Sequence, residues 1–348
     1  MCTRPLIRLE TNTMYRNKKG GLSYKAYFLS REMWDRSKDM YKQRIDNGEF
    51  RKINPVGCGQ CIECKLNYSR QWATRCMIEK QKYKPEECFF LTITYDDEHI
   101  HFSETYNKET GEIITGATLF KEDMREFWDK VRHYYGYKET KDHGKTKKMK
   151  YINAGEYGPA TQRPHYHAIV FGLPLNISQF KKVGMNNLNQ PYWKSEELEK
   201  LWGKGNITIG ELTWESVAYV ARYTLKKALG KDKQYDLAQG RIPEYISMSK
   251  GIGKDFFMEN YKSIYETDSV PVKNKKSGEC VKPPRAYDRI LKEIDPKLYE
   301  KVTEKRKQTA ETAETLKLNN TSLTPEQYRQ QSEAISKQGF KDIRRKEI

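Results

Sequence analysis

Two strand-like segments joined by a turn constrain the fold of this chain more than any other feature of its sequence. Residues 151–157 (YINAGEY) and 165–171 (HYHAIVF) are short and rich in aromatic and β-branched side chains. The seven residues between them, GPATQRP, include a glycine and two prolines, which favour turns. The two segments predict an antiparallel hairpin.

Several other segments have the pattern of a regular element. Residues 88–95 (CFFLTITY) have the composition of a buried strand, and a helix capping box begins at Thr324. The segments with a helical pattern are 65–84, 119–135, 213–229 and 323–337. We expect little regular structure in residues 1–57 and a solvated basic loop over residues 137–150.

The charge balance favours a polyanionic partner. Lys and Arg total 64 against 47 Asp and Glu, which gives a formal net charge of +17. The 24 Tyr, 12 Phe and 6 Trp are too many aromatic residues for a disordered chain. No apolar run is long enough to span a membrane, and the first residues lack the apolar core of a signal peptide. Seven cysteines, three of them close together, indicate a reducing cytoplasm rather than a disulfide framework.

His165 and His167 lie two residues apart in the second predicted strand, so their side chains project from one face. If the turn brings Glu156 opposite either histidine, two nitrogens and one carboxylate oxygen can hold a cation in an open, catalytic type of site. The same pattern is compatible with two partly exposed histidines, a structural zinc site, a metallohydrolase or a two-histidine-carboxylate oxygenase. The hairpin alone does not decide among these alternatives.

The predicted helix over residues 213–229 carries two tyrosines on one face. At about 100° per residue, Tyr219 and Tyr223 lie about 40° apart, and Lys226 lies within about 60° of both. The apolar residues of this helix cluster on the other side, so we expect both phenols to face outward while the helix docks on a sheet. Phenols become nucleophiles when their target phosphate is polarised, and Lys226 could stabilise the developing charge. Packing is the ordinary role of such a pair, and only the combination with the histidines favours chemistry.

Cys58, Cys61 and Cys64 form a compact cluster that can supply three thiolates to a metal ion. A fourth thiolate could come from Cys76 or, if the N-terminus folds back, from Cys2. Structural Zn²⁺ is the expected ion, and the alternatives are an iron–sulfur cluster or free thiols. Basic residues that could contact a phosphate backbone, unless they only form a solvated surface, are Lys65, Arg70, Arg75, Arg163 and Arg222.

Three motifs follow one another along the chain: FLTITY at residues 90–95, RPHYH at 163–167 and YVARYTLK at 219–226. In this order they are similar to the motifs of the HUH endonucleases, which start rolling-circle replication. With the cysteine cluster, SRQW at 69–72 and RC at 75–76, the chain resembles the replication initiation proteins of gokushoviruses. These viruses are small single-stranded DNA phages of the microvirus family. The resemblance covers roughly residues 1–230.

The resemblance implies an α+β fold, in which helices flank a central antiparallel sheet, with a Cys-rich N-terminal element and a charged helical C-terminal tail. The implied ligands of Mg²⁺ or Mn²⁺ are Glu156, His165 and His167. The implied nucleophiles are Tyr219 and Tyr223, followed by Lys226. Tyr166 stands where the family often has an aliphatic residue, and we expect it to face away from the metal. The expected domains are a basic Cys-containing region (1–87), an endonuclease core (88–230), its extension (231–284) and a tail (285–348).

The activity that the resemblance implies is the nicking of an origin in single-stranded or replicative-form DNA. Such a nick leaves a 5′-phosphotyrosine and a free 3′-OH, and a later transfer rejoins the released strand into a circle. The expected partners are origin DNA and the helicase and DNA polymerase of a bacterial host, in whose cytoplasm the protein would act. The alternative is a zinc-stabilised nucleic-acid-binding protein without catalysis, which leaves the histidines and tyrosines unexplained.

Overall fold

The computed structural model describes residues 2–16, 21–107, 109–142, 149–185, 189–226, 237–273 and 278–345. The chain divides into two units, the first from residues 1–67 and 309–348 and the second from residues 68–308. Among the described helices, none is long and apolar enough to cross a membrane.

The strands of the described ranges are β1 (Leu6–Arg16), β2 (Leu22–Ser30), β3 (Phe50–Val56), β4 (Cys88–Tyr95), β5 (His101–Tyr106), β6 (Ile113–Thr118), β7 (Lys150–Tyr157), β8 (Pro164–Phe171), β9 (Lys181–Met185), β10 (Pro191–Lys194), β11 (Gly205–Glu211), β12 (Tyr245–Met248), β13 (Val270–Lys273) and β14 (Gly278–Val281). The α-helices are α1 (Arg31–Asp46), α2 (Ile62–Lys80), α3 (Lys121–Asp142), α4 (Glu196–Trp202), α5 (Trp214–Lys226), α6 (Lys254–Thr267), α7 (Arg285–Ile294), α8 (Pro296–Asn319) and α9 (Pro325–Arg345). Short 3₁₀ helices lie at Pro85–Glu87 and Ile177–Gln179.

A seven-stranded antiparallel sheet forms the centre of the second unit, in the order β12-β7-β8-β4-β11-β10-β9. The predicted hairpin and buried strand are confirmed as β7, β8 and β4, which lie side by side. Strand β4 buries Phe90 on one face of the sheet and Leu91 on the other, and β8 does the same with Ile169 and Tyr166. These central strands are therefore covered from both sides, which accounts for their nearly continuous apolar sequence.

Helices cover both faces of this sheet. Helices α2, α5, α6 and α7 contribute to the core on one face, with side chains such as Ile78, Val220 and Phe257. Helices α3 and α4 contribute to the core on the other face, with Trp128 and Trp202 fully buried. The expected α+β fold, with an antiparallel sheet flanked by helices, is confirmed.

Residues 1–57 contain more regular structure than the sequence predicts. Strand β1 pairs with both β2 and β3 in a three-stranded antiparallel sheet. Helix α1 packs Trp34 against Ile7, Leu9 and Phe50 of this sheet. The expectation of little regular structure was wrong because few strand residues are buried, none of them in β2, so the sequence carries little hydrophobic alternation.

The ends of two predicted helices can be compared with the structure. The basic stretch expected as a loop is helical as far as Asp142 and begins strand β7 at Lys150, while residues 143–148 lie outside the described ranges. The capping box is confirmed at the start of α9: the Gln327 N–H donates to Thr324 Oγ1 at 3.3 Å, and the Thr324 N–H donates to Gln327 Oε1 at 2.9 Å.

A buried ion pair ties α2 to the central sheet. Glu79 is fully buried, and its Oε1 lies 2.8 Å from Lys150 Nζ on β7. The Gly253 N–H donates to Glu79 Oε2 at 2.6 Å, and the Tyr83 hydroxyl donates to Oε1 at 3.3 Å. Such a pair stabilises the fold only while both charges are present, because each has lost its hydration.

The variant Glu79→Ala is expected to lower the free energy of unfolding by about 3–5 kcal/mol. It leaves the Lys150 ammonium with the more distant carboxylate of Asp255, 3.7 Å away. Chemical denaturation followed by tryptophan fluorescence measures the change. The matched control is Glu259→Ala on the exposed side of α6, where a change within about 0.5 kcal/mol is expected. Equally small effects of both substitutions would show that the ion pair does not hold α2 in place.

Candidate functional site

The hairpin brings Glu156, His165 and His167 onto one face of the sheet. In the register of β7 and β8, Glu156 lies opposite His165 and Ala154 lies opposite His167. Glu156 Oε1 is 2.9 Å from Nε2 of His165 and 2.9 Å from Nε2 of His167. One ligand atom from each of the three residues lies within 4.8 Å of the others, close enough for them to share a cation.

Burial and hydrogen bonding act in opposite directions on the Glu156 carboxyl, whose residue is 4% exposed. Burial alone would raise its pKa, but the hydrogen bonds from His165 and His167 outweigh this effect and lower the pKa to about 2. The carboxyl is therefore ionised at neutral pH, which is the state that a metal ligand requires.

The other nitrogen of each imidazole is held by a neighbouring oxygen. His167 Nδ1 lies 3.1 Å from Thr92 Oγ1 on β4, and His165 Nδ1 lies 3.1 Å from the carbonyl oxygen of Arg163. A proton on Nδ1 that is donated to these oxygens leaves the lone pair of Nε2 available to a cation. Sequence reasoning missed Thr92, although a signal was present, since Thr92 and Thr94 are the half-buried positions of an otherwise buried strand.

Helix α5 places Tyr219 beside the histidines. Its ring makes an edge-on contact with the His167 ring, with 5.1 Å between centroids, and another with Phe90, at 6.2 Å. Val217 and Val220 are fully buried and hold this part of α5 on the sheet. The expectation that this phenol faces outward was wrong: Tyr219 is half-buried, because α5 lies close enough to the sheet for the ring to pack on His167.

Three further residues of interest follow on the same helix. The backbone of α5 is described through Lys226, but the side chains of Arg222, Tyr223 and Lys226 lie outside the described part of the structure. The helical backbone puts residue 223 about one turn after Tyr219. The roles of these three side chains stay predictions.

Tyr166 points to the opposite face of the sheet from the histidines, as the alternation of β8 predicts. Its hydroxyl donates to the carbonyl oxygen of Phe120 at 2.9 Å and lies 2.9 Å from the hydroxyl of Tyr95. The Tyr95 hydroxyl donates in turn to the buried carboxylate of Asp123 at 2.8 Å. This network ties strands β4 and β8 to the start of α3 from the side away from the candidate metal group.

Comparison with known proteins identifies the family of the chain. A family profile described as replication-associated protein ORF2 matches residues 88–228, which include β4, the hairpin and α5. The replication-associated protein ORF2 of Spiroplasma virus 4 is 35% identical over 274 residues, which cover 78% of this chain and 77% of that protein. The chain belongs to this family of replication-associated proteins.

Two other phage relatives agree with this assignment. The replication-associated protein VP4 of Bdellovibrio phage phiMH2K is 30% identical over 263 residues, or 73% of this chain and 74% of that protein. The replication-associated protein ORF4 of Chlamydia phage 1 is 28% identical over 243 residues, or 69% of this chain and 54% of that protein. The resemblance to the gokushovirus initiators is confirmed by these matches. No solved structure matches the chain.

The replication-associated protein also gathers cysteines in its first unit. The Sγ atoms that lie within 4.8 Å of one another are those of Cys2, Cys58, Cys61 and Cys64. Of the two residues considered for the fourth position, Cys2 is thus the one that joins the cluster. Cys76 instead lies in the apolar core of the second unit, where burial raises the pKa of its thiol to about 12.

The basic residues of α2 have different surroundings. Arg70 is exposed and Lys65 is half-buried. Arg75 donates two hydrogen bonds, at 2.9 and 3.0 Å, to the carbonyl oxygen of Ile252, and its guanidinium lies 4.1 Å from the centre of the Trp72 ring. Burial lowers the pKa of Arg75. Arg75 thus makes contacts inside the second unit, whereas Arg70 faces solvent.

Arg163 in the hairpin turn is also engaged within the protein. Its guanidinium donates to Asp97 Oδ1 at 2.6 Å and to the carbonyl oxygen of Tyr95 at 2.7 Å. Because the same residue accepts from His165 through its carbonyl group, Arg163 links the end of β4 to the candidate metal group.

Proposed function

We propose that this replication-associated protein initiates rolling-circle replication of a phage genome by nicking one strand of origin DNA with a tyrosine. The family of its relatives and the net charge of +17 support a DNA substrate. The observation that carries the chemistry is the contact between the rings of Tyr219 and His167, because it brings a nucleophile to the candidate metal ligands.

Glu156, His165 and His167 would hold the divalent cation, Mg²⁺ or Mn²⁺. One carboxylate oxygen and two imidazole nitrogens suit an exchangeable ion of this class, and the nitrogens favour Mn²⁺. When bound, the cation supplies Lewis-acid polarisation of the scissile phosphate. The contacts at both Nδ1 atoms orient the imidazoles so that each Nε2 points to the Glu156 carboxylate.

The nicking step exchanges one phosphate ester for another. The phenolic oxygen of Tyr219 bonds to the scissile phosphorus while the bond from phosphorus to O3′ breaks, and the leaving O3′ takes up a proton as the phenol loses one. The products are a 5′-phosphotyrosine and a free 3′-OH, which the host polymerase and helicase use for strand synthesis. No ATP is required, because the phosphotyrosine conserves the phosphodiester.

Closing the circle requires a second transfer. Tyr223, about one helical turn after Tyr219, would cut the regenerated origin while Tyr219 still carries DNA. The 3′-OH set free by this cut would attack the phosphotyrosine of Tyr219, release its phenol and rejoin the strand. Lys226 would stabilise the negative charge that develops on the phosphate oxygens.

Backbone phosphates of the DNA would be bound by the accessible basic residues. We assign this role to Arg70, which is exposed, and to Lys65, which is half-buried. Arg75 and Arg163 would act by holding the adjacent backbone instead, since their guanidinium groups already donate to carbonyl oxygens of the protein.

Incubation of the full chain with labelled single-stranded origin DNA and Mn²⁺ tests the proposal. We expect a protein–DNA adduct that survives a denaturing gel, with the nucleotide mapped by mass spectrometry to residues 214–226. Replacing Mn²⁺ by EDTA should prevent the adduct. Tight DNA binding without an adduct on any origin fragment would support the non-catalytic nucleic-acid-binding protein instead.

A further inference from the structure

Four cysteines from distant parts of the sequence meet in the first unit. Cys2 lies just before β1, Cys58 and Cys61 lie in the turn between β3 and α2, and Cys64 lies in the first turn of α2. The antiparallel pairing of β1 with β3 brings the start of the chain beside this turn. The cluster therefore results from the sheet of the first unit, and no residue of the nicking site takes part in it.

The distances between the sulfurs fit a single tetrahedral ion. Cys2 Sγ lies 3.6 Å from Cys58 Sγ and 3.7 Å from Cys61 Sγ, and all four sulfurs lie within 4.8 Å of one another. Zinc–sulfur bonds of about 2.3 Å in a tetrahedron put neighbouring sulfurs about 3.8 Å apart. A disulfide would require about 2.05 Å, and a cluster of several iron atoms would need more widely spaced sulfurs.

The backbone of the turn supports thiolates at these positions. The N–H of Cys58 donates to Cys2 Sγ at 3.3 Å, and the N–H groups of Gln60 and Cys61 donate to Cys58 Sγ at 3.4 and 3.3 Å. Gly59 has φ +74°, a conformation that folds the turn back on Cys58 and that other residues rarely adopt. Amide groups that point at sulfur lower the cost of its negative charge and fix its direction, as outer contacts do in metal sites.

We propose that Cys2, Cys58, Cys61 and Cys64 hold one structural Zn²⁺. Four thiolates complete the coordination of the ion and leave no position for a substrate or water, which is the composition of a structural rather than a catalytic site. The ion joins the N-terminus to the start of α2 and closes a loop in which Cys2 and Cys58 are 56 positions apart. The first unit has a small apolar core, with Ile7, Leu9 and Phe50 as its buried members, so a metal crosslink adds stability that packing alone does not supply.

Metal analysis of the full chain, purified under reducing conditions, tests the proposal. We expect one equivalent of zinc per chain by mass spectrometry of the elements. Replacement of the zinc by Co²⁺ should give the intense near-ultraviolet sulfur-to-cobalt bands and the red d–d bands of a tetrathiolate site. Iron in place of zinc, or a cobalt spectrum typical of oxygen and nitrogen ligands, would overturn the assignment.

Single substitutions identify the ligands. Cys2→Ser should lose the equivalent of zinc and make residues 1–67 more susceptible to trypsin. The matched control is Cys280→Ser, which changes an exposed cysteine of the second unit and should keep the zinc. If Cys2→Ser and Cys58→Ser both retain a full equivalent, the four cysteines are not the ligands. The cobalt spectrum of the unmodified chain decides the question even where a variant does not fold.

Discussion

Replacing His167 by alanine is expected to lower the rate of Mn²⁺-dependent nicking by on the order of 10³-fold or more. A metal ion supplies several kcal/mol of transition-state stabilisation, and each ~1.4 kcal/mol corresponds to a factor of ten in rate. His167 provides one of the two nitrogens that lie with the Glu156 carboxylate within 4.8 Å. Single-turnover cleavage of labelled origin DNA at saturating protein measures the rate without a contribution from product release.

Other substitutions distinguish loss of the metal from loss of the fold. His165→Ala should show a similar loss, whereas His133→Ala, on the exposed side of α3, should leave nicking unchanged. Thr92→Val keeps all three ligands but removes the oxygen beside His167 Nδ1, so we expect about a tenfold higher Mn²⁺ concentration for half-maximal cleavage. Full nicking activity in both His165→Ala and His167→Ala would exclude this group as the metal site of the reaction.

The sequence predicts the hairpin and its ligand face well, because the period of a strand is short and local. Once β7 and β8 are recognised, alternation alone puts His165 and His167 on one face and Tyr166 on the other. The position of Glu156 depends additionally on the register, which a turn of seven residues does not determine. The structure supplies that register by placing Glu156 opposite His165.

Contacts between distant segments could not be predicted in this way. Cys2 and Cys76 are both plausible partners of the cysteine cluster in the sequence, and only the pairing of β1 with β3 selects Cys2. The burial of Tyr219 was missed for a related reason. A helical projection gives the angle of a side chain around the helix axis, but it does not give the distance of that axis from the sheet. The Tyr219 ring can contact His167 only because α5 lies close to β8.

Replacing Tyr219 by phenylalanine is expected to remove the covalent DNA adduct from residue 219 while DNA binding persists. The substitution deletes the nucleophilic oxygen and keeps the ring that contacts His167 and Phe90, so the packing contribution of these contacts, about 0.5–1.5 kcal/mol for an aromatic pair, is retained. Adduct mapping by mass spectrometry and a binding titration with the same DNA measure the two effects. Tyr261→Phe is the matched control, because Tyr261 is also a half-buried tyrosine that packs against the same core.

The second tyrosine determines how the result for Tyr219 is interpreted. If the two phenols alternate as nucleophiles, Tyr219→Phe should still allow a cut through Tyr223 but no closed circle, because rejoining requires a second transfer. Tyr223→Phe should show the reverse adduct, and the double variant should show neither adduct nor cleavage while it binds DNA. Cleavage by the double variant would mean that another group attacks the phosphate, and the contact of Tyr219 with His167 would then be packing alone. Loss of all cleavage in Tyr219→Phe, with Tyr223→Phe fully able to nick, would instead make Tyr219 the nucleophile of the first cut and limit Tyr223 to circle closure.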